Sequence, residues 1–414
     1  MQPVAGDLDG APLLDEQRRR HEFPVAASSA FLAHAAVAAL PRRVRVAIAD
    51  ALSVMAERGQ FSWVVGDTEE RCRRRAAALL GVLPEEIAFT GSTSAGLATV
   101  ASGWQLDPGD EVLIAGGDFP SLALAWAPAR RRGVVVRELR RDPTRPLAPD
   151  RVLDALRPRT RVVTLSTAHW ISGSPASGLC ELWRRLTGQG IRLVLDAVQT
   201  LGVLPVCGAH ADVVVADGHK WLLGPQGFGL LMVRQHLFDE VQPVVPGWRS
   251  VSQAAASASP LDQWATTARR YEAGGLNLLG LVGLDAALEL LEDVRHLVST
   301  RTTTLRHQLV AGLRAGGHEL LGDPGRAWSS IVAFRPPDGE VEDAHEALLR
   351  AGVVVSVRQT ADGRSWLRAA PHFYNSPEEI ERLLRAVPGR AHACRRVISA
   401  PTAPELRARR AVDR

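Results

Sequence analysis

Between positions 85 and 235, short β-branched runs alternate with stretches of helical length in which apolar residues return every three or four positions. The runs are Glu86–Phe89, Glu111–Ala115, Val134–Arg137, Arg161–Leu165, Ile191–Leu195, Asp212–Ala216 and Gly229–Val233. Each has strand length, and most are apolar throughout instead of alternating, which is what burial on both faces of a sheet requires. The pattern predicts an α/β protein whose seven-stranded, mainly parallel sheet is covered by helices on both sides. In such sheets ligands bind beyond the carboxyl ends of the strands. The residues just after each run are therefore where chemistry is expected.

An Ala-, Ser- and Gln-rich stretch at 251–260 reads as a surface loop, and helical periodicity resumes through Leu276–Leu297. Residues from about 300 to 388 then read as helix, strand, helix, strand, helix, ending near Pro377–Leu384. The expected organisation is an N-terminal segment 1–24 packing on a small domain, a large domain over 25–290, a smaller C-terminal α/β domain over 291–388, and a tail over 389–414. The tail has proline and arginine but little apolar pattern, so mobility is expected there.

With 46% apolar and 23% charged residues, the 414-residue chain is an ordinary globular one. Its formal charge of +4 comes from arginines interspersed with acids and has no aromatic-interleaved binding motif beside it, so a nucleic-acid partner is not expected. No apolar run reaches the roughly 18 residues of a membrane span, and Met1–Arg20 lacks the apolar core of a signal peptide. Cytoplasmic residence without a membrane partner is the resulting expectation. Cys72, Cys180, Cys207 and Cys394 are widely spaced, which suits reduced thiols. Cys207 and His210 have half the spacing of a zinc site without the other half, so no metal is expected.

One compositional fact changes the picture. Of 49 basic residues, 48 are arginine and one is lysine, Lys220, in the run Asp217-Gly-His219-Lys220-Trp221. A primary amine can be desolvated, lose its proton and form a Schiff base with a carbonyl, whereas a guanidinium stays protonated. Lys220 is the candidate nucleophile. After the first run come Thr90-Gly91-Ser92-Thr93-Ser94, small hydroxyl residues at a helix start, which serve as a phosphate cradle or simply as caps. After the fifth run comes Asp196-Ala-Val-Gln199, a carboxylate placed to partner a cationic ring nitrogen or to cap a helix. An amine for an aldehyde, an acid for a pyridinium and donors for a phosphate are the set that pyridoxal phosphate needs.

From about Phe31 to Leu384 the chain resembles the class V aminotransferases, the branch of fold type I pyridoxal-phosphate enzymes that includes cysteine desulfurases, selenocysteine lyases, kynureninases and isopenicillin N epimerases. Asp196-Ala-Val-Gln199 and Asp217-Gly-His-Lys220-Trp, in that order and spacing, carry the resemblance. It implies the fold type I transferase architecture and a homodimer with active sites at the subunit interface. It also implies that Asp196 and Gln199 touch the ring nitrogen and ring oxygen, that Ser92, Thr93 and His219 hold the phosphate, and that Phe119 stacks on the ring. His169 and Gly275 join the cofactor-binding set. Arg368, in Arg368-Ala-Ala-Pro-His-Phe-Tyr-Asn375, would clamp the substrate carboxylate, with Arg358 and His34 as further substrate-binding candidates.

Three departures bear on chemistry. No cysteine lies between Arg358 and Arg368, where desulfurases of this family carry a catalytic one, so persulfide formation is expected to be unlikely here. Asp217 replaces a phosphate-binding serine of many relatives, and Gly275 replaces a threonine that reaches a neighbouring subunit. The expected activity is that of an aminotransferase or lyase acting at Cα of an α-amino acid through Lys220. An amino-acid epimerase, or a catalytically silent pyridoxal-phosphate-binding protein, are the alternatives.

Overall fold

The computed structural model describes residues 15–252, 263–324 and 328–389. Most of the loop expected at 251–260, the first fourteen residues of the N-terminal segment, and the tail from 390 onward lie outside the described residues.

The chain begins with a short helix α1 (Glu16–Glu22), a two-residue strand β1 (Ala30–Phe31) and two helices, α2 (Arg42–Arg58) and α3 (Thr68–Leu80). Then come the seven expected strands, each within a residue or a few of its sequence run: β2 (Ile87–Thr90), β3 (Glu111–Gly116), β4 (Val135–Arg140), β5 (Thr160–Ser166), β6 (Arg192–Asp196), β7 (Val213–Asp217) and β8 (Gly229–Val233). Between them lie α4 (Thr93–Gly103), α5 (Pro120–Trp126), α6 (Pro149–Leu153) and α7 (Leu179–Thr187). The strands form one sheet in the order β2-β8-β7-β6-β5-β3-β4. Only β8 runs against the rest. The 218–228 connection that precedes it has no helix and is too short for the crossover of a dozen or more residues that a parallel return needs.

Strands β3, β7 and β8 are buried along their whole length, which is why their sequences are apolar apart from Glu111 at the start of β3 and Asp217 at the end of β7. The edge strand β4 is instead Val-Val-Arg-Glu-Leu-Arg, with an exposed charged face that discourages pairing with another chain. Strand order reverses beside β3: β4 lies on one side of it and β5 on the other. A crevice opens at the carboxyl ends of strands at such a reversal. The loops that leave Gly116 and Ser166 border it.

Helix α8 (Leu278–Ala315) has 38 residues and spans about 57 Å at 1.5 Å per residue. The Asn277 side chain caps it by accepting from Gly280 N at 3.0 Å. Leu281, Leu284, Leu288, Leu291 and Val294 pack into the core of the large sheet, whereas Leu305, Leu309 and Leu313 pack into a second core. The helix thus runs unbroken through position 290, where the sequence pattern placed a domain boundary. The polar run Ser299–Thr304 hides this continuity in sequence. In the structure Thr302 and Thr304 return their hydroxyls to the carbonyls of Val298 and Thr300, at 2.8 and 3.0 Å.

The second core lies under a four-stranded antiparallel sheet of β9 (Glu319–Leu320), β10 (Val332–Arg335), β12 (Ser356–Gln359) and β13 (Ser365–Ala369), in the order β12-β13-β10-β9. Helices α9 (Val341–Arg350) and α10 (Pro377–Ala386) complete it, and β11 (Val353–Val354) pairs with β1. Ser376 and Glu379 form a capping box at the start of α10, with Pro377 at the first helical position. The N-terminal segment is tied to this half of the molecule: Arg19 pairs with Glu379 at 2.9 Å, and Phe23 stacks on Tyr374 with centroids 3.8 Å apart.

A buried carboxylate fastens α3, β2 and the chain after β8 to one another. Glu272 accepts from Phe89 N at 3.0 Å and pairs with Arg73 at 2.9 Å and Arg249 at 2.8 Å. Its removal takes the buried partner from two cations and leaves them the less buried Glu69 in common. Glu272→Ala is expected to cost about 3–5 kcal/mol in urea unfolding, and a loss within experimental error of zero would contradict this account.

Candidate active site

A cavity of about 470 Å³ opens at the carboxyl ends of the parallel strands. Lys220 reaches it from the turn after β7, with Nζ 5.8 Å from the centre of the Phe119 ring. That turn is constrained. Buried Leu223 has φ 59, a left-handed conformation that a branched side chain seldom adopts and that costs on the order of 1–3 kcal/mol. Burial lowers the Lys220 amine from its ordinary 10.5 to about 8; Asp196 opposes the shift and Arg368 adds to it.

Asp196 ends β6 and is almost fully buried, with Oδ1 accepting from Val198 N at 3.0 Å. Burial raises its carboxyl to about 6, against the pull of that N–H and of Lys220. Gln199, from the same turn, receives the indole N–H of Trp221 on Oε1 at 3.1 Å and donates from Nε2 to Ala35 O at 3.2 Å.

At the start of α4 the hydroxyl of Thr93 is buried, lines the cavity and has no hydrogen-bond partner among the described residues. Nearby, Asp217 Oδ1 lies 2.9 Å from His219 Nδ1, in ion-pair range but misaligned for a hydrogen bond, so neither atom is satisfied. Ser92 is different: its oxygen caps α4 by accepting from Ala95 N at 3.1 Å, and it does not line the cavity. Ser94, bonded to Ser121 at 2.7 Å, lines it instead. Sequence reasoning stopped one residue short, although Ser94 lies on the same first turn.

Two arginines approach from the antiparallel sheet. Arg368 on β13 is 2% exposed, donates from Nε to Ser356 Oγ at 3.1 Å and from Nη1 to the Trp170 carbonyl. Arg358 on β12 sits opposite Trp366, two pairs along the ladder from Ser356 and Arg368. Among the described residues neither has a carboxylate partner. Burial and then the proximity of Arg358 lower Arg368 to about 9. Two poorly solvated cations facing a cavity favour an anion there.

The structure therefore brings Thr93, Phe119, Asp196, Gln199, His219, Lys220, Arg358 and Arg368 to one cavity. It does not bring His169, His34 or Gly275 there. His169 Nδ1 accepts from the backbone N–H groups of Ile171 and Ser172, so its Nε2 carries the proton and donates to Gly117 O at 3.1 Å. Burial lowers it to about 4. It is a neutral tie between the loops after β3 and β5, and its neighbour Trp170 faces the cavity, edge-on to Phe119 at 5.5 Å. His34 is fully buried with both nitrogens engaged, by Ala370 O at 2.8 Å and Tyr374 Oη at 2.9 Å, while the adjoining Ala35 and Ala36 line the cavity. Gly275 is exposed, with nothing within 4 Å of where a Cβ would stand. Register and loop course place these three, which motif spacing does not report.

The cavity's donor set fits pyridoxal phosphate. An unpartnered hydroxyl at a helix N-terminus suits the phosphate, a buried acid suits the ring nitrogen, and a desolvated amine lies in the same space.

Residues 30–383 match the family model described as Aminotransferase class-V. The chain is 28% identical over 346 residues to a probable cysteine desulfurase of Methanothermobacter thermautotrophicus, covering 79% of this chain and 85% of that one. It is 30% identical over 338 residues to isopenicillin N epimerase of Amycolatopsis lactamdurans, covering 76% and 83%. Among solved structures, the cystine C-S lyase C-DES, in complex with its reaction product cysteine persulfide, aligns with TM-score 0.78 and 26% identity over 88% of this chain and 98% of that one. A C-DES variant with glycine covalently linked to its pyridoxal phosphate aligns with TM-score 0.80 and 25% identity, over the same shares. These likenesses do not support the expectation that persulfide-forming chemistry is unlikely. The segment between Arg358 and Arg368 has no cysteine, yet relatives of this fold are named for that chemistry.

Burial of the amine has a consequence for stability in the ligand-free protein. The folded chain sheds the Lys220 proton near pH 8 and the unfolded chain near 10.5, so between these values the unfolded state binds more protons and stability rises with pH. At pH 7 the charged amine is a burden. Ligand-free Lys220→Met is expected to exceed the unsubstituted protein by about 1–3 kcal/mol at pH 7, with the gap closing as pH passes 10.5. Denaturant unfolding at pH 7 and pH 10.5 measures both, and an equal gap at the two values would contradict it.

Proposed function

Because the chain belongs to the class V aminotransferase family, whose cofactor is pyridoxal phosphate, we propose that it is an enzyme acting at Cα of an α-amino acid, as an aminotransferase or a lyase. The observation that carries this reading is the facing of Lys220 by Arg358 and Arg368 across one cavity, with neither arginine paired to an acid.

When bound, pyridoxal phosphate draws electrons away from Cα and so makes its hydrogen acidic. Lys220 would hold the cofactor and then take and return the Cα proton. An amine lowered to about 8 is neutral in roughly a tenth of molecules at pH 7, against fewer than one in a thousand at 10.5. Asp196 would hold the ring nitrogen, and a cation beside its carboxyl offsets the burial that otherwise favours the neutral acid. Thr93, His219 and the first N–H groups of α4 would hold the phosphate. Arg368 would bind the substrate carboxylate through Nη2, which has no protein partner among the described residues, because Nε and Nη1 donate to Ser356 and the Trp170 carbonyl. Phe119 and Trp170 would wall the same space from water.

Return of the proton to the opposite side of Cα needs a second acid–base group. Of the other ionisable residues of the lining, Asp196, His219 and Arg368 are assigned here to cofactor and carboxylate, Asp217 lies against His219 at 2.9 Å, and Arg358 is a guanidinium that stays protonated. This favours transamination or β-elimination over the epimerisation for which the Amycolatopsis relative is named. Cysteine and cystine belong among the candidate substrates, since relatives are named for acting on them. A homodimer is part of the reading: Gly275, exposed and away from its own cavity, is free to face a second subunit.

Purified protein loaded with pyridoxal phosphate should be offered alanine, glutamate, cysteine and cystine while the cofactor spectrum, oxo acid, ammonia and sulfide are followed. A lasting amine form of the cofactor indicates transamination, and oxo acid with ammonia indicates elimination. Deuterium entry at Cα without either product would move the assignment to epimerisation, and a spectrum that no amino acid perturbs would overturn the reading. Arg368→Lys is expected to lower kcat/KM by about 10–100-fold, mainly through KM, as loss of a charged hydrogen bond does. Borohydride should fix the cofactor to the Lys220 peptide and leave Lys220→Arg unlabelled apart from the N-terminal amine, which peptide mapping reads directly.

A further inference from the structure

The residue after the nucleophile is a buried donor that holds a residue of the cavity's lining. Trp221 is 1% exposed and its indole N–H donates to Gln199 Oε1 at 3.1 Å. On its other side the Gln199 amide nitrogen donates to Ala35 O at 3.2 Å. An indole nitrogen only donates and a backbone carbonyl only accepts, so the two partners permit one orientation of the amide. Rotating it by half a turn sets N–H against N–H and O against O, losing both bonds at once. In the permitted orientation Nε2 keeps one N–H uncommitted, and Gln199 lines the cavity.

Trp221 is itself held. His372 Nδ1 accepts from Phe373 N at 2.8 Å, so Nε2 bears the proton and donates to the Trp221 carbonyl at 3.1 Å. Gly202, at φ +99, lets that carbonyl approach so closely that a Cβ there would lie 2.4 Å from it. The indole bond thus joins the turn after β6, which carries Asp196, to the turn after β7, which carries Lys220.

We propose that Trp221 is a positioning residue: its indole N–H locks the Gln199 amide so that bound pyridoxal phosphate meets a hydrogen-bond donor at that point of the cavity and never an acceptor. The proposal rests on the reading that this cavity holds the cofactor. A donor stabilises negative charge on a cofactor oxygen and weakens that oxygen's grip on a neighbouring proton. With the lock removed, the cofactor should keep its proton to higher pH.

The test is a double-mutant cycle read on the bound cofactor in the absence of substrate. In Trp221→Phe, which keeps an aromatic ring and removes the donor, the pH midpoint of the cofactor's absorbance change should move up by about 0.5–1 unit and cofactor affinity should fall about 3–10-fold, the size of one hydrogen bond. Gln199→Leu should give the same shift, and the double variant no further shift, because Trp221 acts through Gln199. If Trp221→Phe does not fold, replacement of Trp221 by its benzothiophene isostere removes the N–H without changing shape. Unchanged midpoint and affinity, or additive shifts in the double variant, would overturn the lock while leaving the cofactor site standing. Failure of the unsubstituted protein to take up pyridoxal phosphate would overturn both.

Discussion

Withdrawal of water from an amine is the constraint on which the site depends. Lys220 is useful only if its proton is loosely held, and burial is the first cause of that. The same burial weakens the ionised form of Asp196 and of Arg368, which sit within its reach. Each group would be unstable alone in this space. Asp196 partly compensates Lys220 whereas Arg368 repels it, and compensation is completed by a ligand that brings a cation to the acid and anions to the arginine and the helix start.

The fold supplies that dry space through ordinary sheet geometry. Apolar strands buried on both faces leave their carboxyl ends as the place where chain can turn outward, and Asp196, Asp217 and the loops after Gly116 and Ser166 all emerge there. The arginines come from elsewhere. They ride on the antiparallel ladder of β12 and β13, so the cofactor-holding groups and the carboxylate-holding groups belong to different sheets with different cores.

What was legible in the sequence follows this division. Strands β2, β3 and β5 to β8 were readable because burial on both faces leaves a signature of mostly continuous apolar residues, β4 through its β-branched start, and Lys220 because an almost lysine-free composition isolates it. Asp196 and Gln199 were readable through their resemblance-bearing turn. His34 and His169 stay out of the cavity for a physical reason: a histidine near a site looks the same in sequence whether its nitrogens face the cavity or are consumed by other partners, as they are here by backbone groups and, for His34, also by Tyr374 Oη. Ser92 lost its expected place to a cap, a competition between helix and ligand for one oxygen. The length of α8 was hidden by threonines whose hydroxyls bond within the helix, which a polarity pattern reads as a break.

That helix gives the two halves a common beam. Its first part is bedded in the core behind Lys220 and its last part in the core beneath Arg368, so a tilt of one sheet relative to the other must flex the beam or strain its bedding. The threonine turns are where hydroxyls already compete for backbone carbonyls, and helices bend most readily at such turns. The distance between the amine and the carboxylate clamp is therefore tied to the curvature of a helix that touches neither, and the alignment of a substrate becomes a matter of elasticity as well as of contact.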